Sequence, residues 1–583
     1  MNNKNSTEQM VDVVISGLGP TGATLAHLLG MRGLSVIVLE REPTFYGNAR
    51  AVYTDDECMR VMQAAGVVDE LAINMQVDTP AQWVLANGEI LGQYWRLDRP
   101  FGWPIINFLY QPWLETTLTD LLKRYPSVQV VRGRELTQFE QDDEGVTITH
   151  QATSNFRFSD DTDTRTEIAT DPDPQTIRAR YLVGADGGRS TVREALGIGM
   201  SGKNFPEPWL VVDLEMKEGE DALRHLPYFS FICDPECPTV CCPQPGRFHR
   251  FEFMLMPGQT KEQMEDPQVV RALISRHVDP DKFIVKRKLV YTFNALVAKD
   301  WRKGRVFIAG DAAHMTPQFM GQGMSSGVRD AYNLAWKLDS VLKGRANDRL
   351  LDTYGTERFH HAKAMIDISV QMKDFVSMSN PITSRLRNML VKTVLVTPFL
   401  GRYVREGRFK PAPTYELDSY LGLPRKHRRS PEGTMIPQPE VRTFKGKRVL
   451  LDEVLGEGYA LIGLNVDPRE HLCPASRQLL EAQGTRYLTL FEFAKRPQGQ
   501  NVERTNTCEL TEVEDASGEM VAWFKRSGFS SGAIAVVRPD KFTFAMVKSS
   551  DLDRALAELK FQLQWVPGQE VVAPISSVLR KSA

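Results

Sequence analysis

Residues 11–40 commit this chain to a fold built on a parallel sheet. Val11-Asp-Val-Val-Ile15 reads as a short buried strand and Gly17-Leu-Gly-Pro-Thr-Gly22 as a tight turn. A helical pattern follows (Ala23, Leu25, Ala26, Leu28, Leu29), then a second strand from Ser35 to Leu39. Such a βαβ unit brings the second strand alongside the first in the same direction, with a helix covering the sheet. Each glycine has its own task. Gly17 permits the turn, Gly19 lets the backbone approach a pyrophosphate, and Gly22 lets the helix pack on the strand. The helix N-terminus offers free N–H groups and a partial positive charge to the phosphates. Glu40 follows Gly22 by 18 residues, where a carboxylate can accept hydrogen bonds from ribose hydroxyls. Pro20 and Thr21 in the turn, and Arg41 beside Glu40, complete the expected cofactor-binding start. This motif alone serves FAD and NAD equally.

Two later segments repeat the strand–loop–helix theme. Tyr181 to Val183 is an apolar strand leading into Gly184-Ala-Asp-Gly-Gly-Arg-Ser190, then Val192 and Arg193. Arg305 to Ala309 is another, leading into Gly310-Asp311-Ala-Ala-His314, Pro317 and Gly321-Gln-Gly-Met324. A helix containing Asp330, Asn333 and Trp336 follows. The N–H groups around Gly323 and Met324, at its N-terminus, suit the negative charge of a reduced flavin. Pro317, rigid and without an N–H, suits a wall beside the flavin. Helix capping is the alternative reading for Asp186 and Asp311, and packing is the alternative for His314.

Together, the glycine triplet, the Asp-Gly segment and the Gly-Asp segment resemble, in order and spacing, the class A flavoprotein aromatic hydroxylases over about residues 10–400. The resemblance implies that Asp311 binds a ribityl hydroxyl of FAD. It implies that Asp186 lies in the segment serving both FAD and the nicotinamide donor, and that Arg50 and Gln111 contact the flavin's sugar chain and phosphates. The family often has Asn where this chain has Ser325. Phe101-Gly-Trp-Pro104, Trp209-Leu-Val-Val-Asp213, Arg250-Phe-Glu-Phe-Met254 and Leu351-Asp-Thr-Tyr354 are similar to the bacterial branch acting on 3-(3-hydroxyphenyl)propionate. That branch implies ortho-hydroxylation of a phenolic acid in aromatic degradation, with FAD bound, NADH or NADPH as co-substrate and dioxygen consumed. The flavin carries the oxygen chemistry, so no metal is expected.

The expected fold is α/β, with a Rossmann-like FAD-binding domain, an inserted and mostly antiparallel substrate sheet, and a thioredoxin-like C-terminal domain. The expected division is residues 1–75, 105–205 and 298–375 for FAD and residues 76–104 and 206–297 for the substrate sheet. Residues 376–439 form a helical and linker segment, and 440–583 the last domain. Residues 151–178, with Asp160, Asp161, Asp163, Asp171 and Asp173, read as an exposed hairpin or loop. Val536-Val-Arg-Pro-Asp540 carries the thioredoxin-like resemblance. Cys473 is followed by Pro-Ala-Ser and Cys508 stands alone, so no redox pair is expected.

Catalytic side chains are not legible. Arg250 is a candidate fork for a substrate carboxylate, with a strand-surface arginine as the alternative. His225, Tyr228 and His249 are candidate bases, and Pro317 a candidate wall. Cys233, Cys237, Cys241 and Cys242 cluster without zinc-site spacing, so strand thiols are expected. Lys and Arg number 71 against 73 Asp and Glu, which gives no long-range pull toward nucleic acid or anionic membrane. The polar N-terminus and the lack of an apolar run of about 20 residues point to a cytoplasmic protein with a small-molecule phenolic partner. Self-association into a homodimer is left open. A hydroxylase of another phenol, a flavin oxidoreductase without oxygen insertion, and a flavin-binding relic without turnover are the competing functions.

Overall fold

The computed structural model describes residues 10–45, 50–153, 174–205, 207–416, 420–425, 427, 429–496 and 510–565. The aspartates expected on a loop tip, Asp160 to Asp173, and Cys508 lie outside these residues. The strands flanking that tip, Val146–Ala152 and Gln175–Gly184, pair antiparallel as a hairpin.

The first sheet runs in the order Arg302–Lys303, Val306–Ile308, Gln175–Gly184, Val11–Ser16, Val36–Glu40 and Val128–Arg132. The four pairings from Val306–Ile308 to Val128–Arg132 are all parallel. Val13, Val14, Ile15, Leu182 and Val183 are fully buried, as parallel strands covered on both faces must be. The α/β fold class implied by residues 11–40 is therefore realised. All three glycine-bearing turns leave the C-terminal ends of adjacent strands in this sheet. The first and third feed the helices Pro20–Gly30 and Gln322–Leu342, which pack on each other. Gly327 and Gly310 make that approach possible: a Cβ on Gly327 would stand 2.1 Å from Thr21 Oγ1, and one on Gly310 2.6 Å from it.

The second sheet has seven strands, Phe283–Tyr291, Trp209–Met216, Phe248–Met254, Thr239–Pro243, Phe229–Cys233, Ala81–Leu85 and Ile90–Tyr94. Two of the three strands within residues 76–104 thus extend the sheet built from residues 206–297, while Gln76–Val77 pairs with Asn107–Phe108. The β-type stretch from Phe283 to Val297 is broken after Tyr291. Asn294–Ala298 leaves the sheet and pairs instead with Met200–Asn204 and His314–Met315. Alternation along each strand separates two faces. Leu210, Val212, Phe251 and Phe253 pack under the helix Pro267–Ser275, while Trp83, Trp209, Phe231 and Met254 pack with Phe319 from the loop after Pro317. The four clustered cysteines are divided between these faces, Cys237 and Cys241 on one, Cys233 and Cys242 on the other. Burial pushes the thiols up, to about 11 for Cys233 and about 12 for Cys241, so they remain protonated strand side chains.

The C-terminal sheet contains the order Arg486–Glu492, Ala460–Leu464, Ala533–Val537, Thr543–Lys548. The first pair is parallel and the next two antiparallel, with the helix Pro474–Ala482 crossing between the parallel strands and Leu552–Leu563 closing the unit. This is a thioredoxin-like core. Cys473 is the N-cap of the crossing helix, and its sulfur accepts from Ser476 N. No second cysteine stands beside it among the described residues.

Candidate active site

The candidate site begins at the turn Gly17–Gly22. Gly17 has φ +103°, and a Cβ there would lie 2.4 Å from Ala185 O. A Cβ on Gly22 would lie 2.0 Å from Gly17 O, while one on Gly19 would meet nothing within 4 Å. The turn is closed on its protein side and open where a pyrophosphate would approach. Gly19 caps the helix Pro20–Gly30 without a side-chain hydrogen bond, which leaves the first N–H groups for an anion. Pro20 is its first residue, and Thr21 packs toward Gly310 and Gly327. Glu40 accepts from Leu18 N (2.8 Å) and Glu42 N (2.9 Å). It braces the turn, and each oxygen keeps a lone pair for a hydroxyl. Arg41 is partly exposed beside Glu42.

Gln111 is nearly buried, and its Oε1 accepts from Arg50 N and Ala51 N, both at 2.6 Å. Its amide thereby fixes the chain where Arg50 projects. Asp186 accepts from Val192 N at 3.1 Å, so the capping reading holds for that oxygen. Its other oxygen, Oδ1, is buried without a hydrogen-bond partner, an acceptor that a bound polar group would satisfy.

Asp311 differs from Asp186. It is exposed between the buried Gly310 and Ala312, and no hydrogen bond to a described residue engages its carboxylate. The turn that presents it is held by a residue the sequence did not single out for this purpose, Asp330. Asp330 Oδ2 accepts from Gly310 N (3.0 Å) and His314 Nε2 (2.6 Å), and Oδ1 accepts from Arg358 Nε (2.8 Å). Burial works against ionisation of Asp330, but His314 and Arg358 outweigh it and hold its carboxyl below the usual range. His314 is thus a fully buried brace rather than a catalyst. After it, Pro317 is buried, and Gly321 enters the left-handed region (φ +60°) to cap Gln322–Leu342 without a side-chain bond. Gly323 and Met324 lie in the first turn of this helix, where the backbone N–H groups have no intrahelical acceptor, and a Cβ on Gly323 would meet nothing within 4 Å. Ser325 is fully buried, 3.5 Å from Thr54 Oγ1. It serves helix packing, where a larger amide would crowd the contact.

The loop Pro317–Gly321 faces the inner side of the second sheet. Phe319 meets Trp209 edge-on at 5.1 Å. Nearby, Phe229 stacks on Phe108 (5.7 Å, 14°) and meets Phe231 edge-on at 4.8 Å, while Tyr53 lies against Gly321. These rings form an apolar wall suited to a flat aromatic substrate.

Three expectations for catalytic residues are corrected. Arg250 is no free fork: its Nε and Nη2 bind the two oxygens of Asp213 (2.6 and 3.1 Å), and Nη1 binds Arg50 O (2.6 Å). It lies on the sheet's inner face and ties the sheet to the Arg50 segment. His225 is exposed, and its Nε2 pairs with His277 O at 3.0 Å; His277 stacks on Phe251, on the helix-covered face. His249 shares that face, 3.2 Å from Cys241 Sγ, and burial pushes its pKa down to about 3. Tyr228 stands just before the inner strand Phe229–Cys233 and is 36% exposed.

A missed residue is Glu252. Only 3% exposed, it sits on the inner face and accepts a hydrogen bond from Gln318 Nε2, next to Pro317. Burial, with Asp213 adding to it, pushes its carboxyl up to about 7, against the pull of Arg250, Gln318 and Arg287. Because the folded pKa exceeds the unfolded 4.5, folded protein holds the extra proton between these values, and stability falls as pH rises from about 4.5 to 7. Glu252→Gln is therefore expected to gain stability relative to the parent as pH rises from 5 to 7.5, by about 1–3 kcal/mol. Denaturation midpoints across that range check it, and a difference that does not change with pH would rule it out.

Comparison with known proteins places these features. The family described as FAD binding domain matches residues 10–369, and the HcaD C-terminal domain matches residues 433–562. A protein of Mycobacterium sp. (strain KMS) named 3-(3-hydroxy-phenyl)propionate/3-hydroxycinnamic acid hydroxylase is 37% identical over 91% of this chain and 87% of its own length. A protein of the same name from Burkholderia cenocepacia (strain HI2424) is 36% identical over 94% of this chain and 96% of its own. Among solved structures, the flavin-dependent monooxygenase PieE with FAD and substrate superposes with a TM-score of 0.74 at 21% identity, covering 96% of this chain and 100% of that one. Aklavinone-11 hydroxylase with FAD and aklavinone gives 0.71 at 23%, covering 97% and 100%.

Proposed function

The chain belongs to the FAD-binding-domain family of flavin-dependent aromatic hydroxylases, and from that membership we propose that it ortho-hydroxylates a phenolic acid, 3-(3-hydroxyphenyl)propanoate, to the 2,3-dihydroxy product. The 3-hydroxycinnamic acid in the relatives' name has the same phenol and side-chain carboxylate. NADH or NADPH and dioxygen are the co-substrates. The observation that carries the reading is that three glycine-bearing turns leave the C-terminal ends of adjacent strands of one parallel sheet, with Phe319 of the loop after the third packed on the inner face of the second sheet. In the same proposal, residues 1–75, 105–205 and 298–375 hold FAD, 76–104 and 206–297 hold substrate, 376–439 connect, and 440–583 form the appended domain. A cytoplasmic location and a homodimer belong to the proposal too. No helix among the described residues is long and apolar enough to cross a membrane.

Bound FAD would accept a hydride from the nicotinamide and deliver one oxygen atom of dioxygen to the ring. The chain's own residues do the rest. Gly17, Gly19 and Gly22 admit the pyrophosphate to the N–H groups that open the helix Pro20–Gly30. Glu40 and Asp311 accept from the ribose and ribityl hydroxyls. The N–H groups of Gly323 and Met324 favour negative charge on the reduced isoalloxazine. Pro317 and the rings of Phe108, Phe229 and Phe231 keep water from the reacting face and hold the phenol flat.

The test is nicotinamide oxidation under air with and without 3-(3-hydroxyphenyl)propanoate. Substrate is expected to accelerate it at least tenfold and to yield about one catechol per nicotinamide. Flavin-bound protein that shows no stimulation and forms no catechol would overturn the substrate. Stimulated turnover without catechol would overturn oxygen insertion.

A further inference from the structure

Between residues 382 and 403, eight large apolar side chains are 44–83% exposed. They belong to the helices Pro381–Val396 and Pro398–Arg405, which fold against each other. Gly401 makes the fold tight: a Cβ there would stand 2.4 Å from Leu395 O. On the first helix, Leu386, Met389, Leu390 and Val396 recur at helical spacing on one outward stripe. Phe399 and Leu400 continue it on the second. Phe399 is 83% exposed and Val396 80%.

The opposite side of this hairpin is already used. Val391 and Val404 pack on the cluster around Trp83, Phe231 and Phe319, the inner face of the second sheet. The hairpin is therefore apolar on both sides, one side packed and the other bare. Helices with a single packed face normally turn charge outward.

We infer that the outward stripe of 382–403 is the seat of a second copy of this chain, related by a two-fold axis. The exposed side chains present apolar surface on the order of 1,000 Å², above the roughly 300–600 Å² of the largest patch on a typical monomer. It matches the about 800 Å² that each partner contributes to a standard interface. An isologous contact asks one patch to complement itself, and an uncharged stripe of Leu, Met and Val does so without opposing like charges.

Arg385 is exposed beside Leu386, but the other flanking cations are engaged within the protein, which favours a protein partner over an anionic lipid surface. Lys392 pairs with Glu89 at 2.6 Å, and Arg402 pairs with Glu406 at 2.6 Å, which Arg408 also meets. Arg405 donates to Leu395 O at 2.7 Å. Interfacial helices that bind membranes keep such charges free for lipid headgroups. The inference rests on no part of the proposed chemistry. Its consequence for that chemistry is that the partner would stiffen the outer wall of the aromatic site.

The test is sedimentation velocity of the full-length, flavin-loaded protein from 0.1 to 20 μM, comparing the parent with Leu390→Asp and Phe399→Asp. The parent is expected to sediment as a dimer, and each substitution to weaken dimerisation at least tenfold. The visible flavin spectrum and far-UV circular dichroism of the variant monomers should match the parent's, since both positions are exposed. A parent that is monomeric throughout overturns the inference, as does dimerisation unaffected by both substitutions. Flotation of the parent with phosphatidylcholine–phosphatidylglycerol vesicles, lost in the variants, would assign the stripe to lipid and also overturn it.

Discussion

Glu357→Gln is expected to lower the stability of the native assembly by about 3–5 kcal/mol, the usual result of removing one partner from a buried ion pair. Glu357 lies on the helix Thr353–Val376 and is 1% exposed. It accepts from Arg538 Nη1 (2.7 Å) and Nη2 (2.9 Å), Lys337 Nζ (2.6 Å), Asn333 Nδ2 (2.6 Å) and Leu421 N (2.9 Å). Burial opposes its charge, but Arg538 and Lys337 prevail and bring its pKa down to about 2. Burial lowers Lys337 to about 8, so both stay charged at neutral pH. Arg538 retains Asp540 when Glu357 is neutralised, whereas Lys337 loses its only ion-pair partner among the described residues. A second substitution, Lys337→Met, should recover part of the loss. Denaturant unfolding followed separately by flavin release and tryptophan fluorescence checks both. Equal stability of parent and Glu357→Gln would refute the assignment.

Asp311→Ala is expected to weaken FAD binding about 10- to 100-fold, the effect of losing a hydrogen bond to a charged acceptor. The fold should survive, because the Asp311 carboxylate bonds no described residue and the turn around it is held by Asp330. Equilibrium dialysis of FAD and the thermal midpoint of apoprotein separate the two effects. Undiminished flavin affinity would remove Asp311 from the site. Asp330→Asn should behave differently and lower both, since Gly310 N, His314 and Arg358 all depend on that carboxylate.

The legible parts of this protein are those in which one short segment carries both the geometry and its chemical reason. Gly17, Gly19 and Gly22 announce a turn, a close approach and a helix contact in six residues. The Asp186 and Asp311 segments repeat that economy. The second sheet was legible as strands but not as faces, so Arg250 as a carboxylate fork and His249 as a base were both left open. Only the pleat separates Arg250, on the inner face, from His249, under a helix. Ion pairing was illegible for another reason. Arg250 and Asp213 lie 37 positions apart and Arg538 and Glu357 181, and nothing local in either sequence announces the partner. Glu252 escaped notice because its interest lies in the burial around it, which a strand pattern does not reveal.

The span between Glu357 and Arg538 also bears on how the protein is made. A ribosome adding about 5–20 residues per second releases Glu357 and Lys337 some 10–35 s before Arg538. During that interval the helices Gln322–Leu342 and Thr353–Val376 hold a charged pair that the mature protein encloses on every side. The nascent flavin-binding half must either leave that corner wet or close it imperfectly, and its last step of consolidation awaits the final domain. The appended domain, with its single capping cysteine, then works as a late-arriving keystone for the helix proposed to meet the flavin.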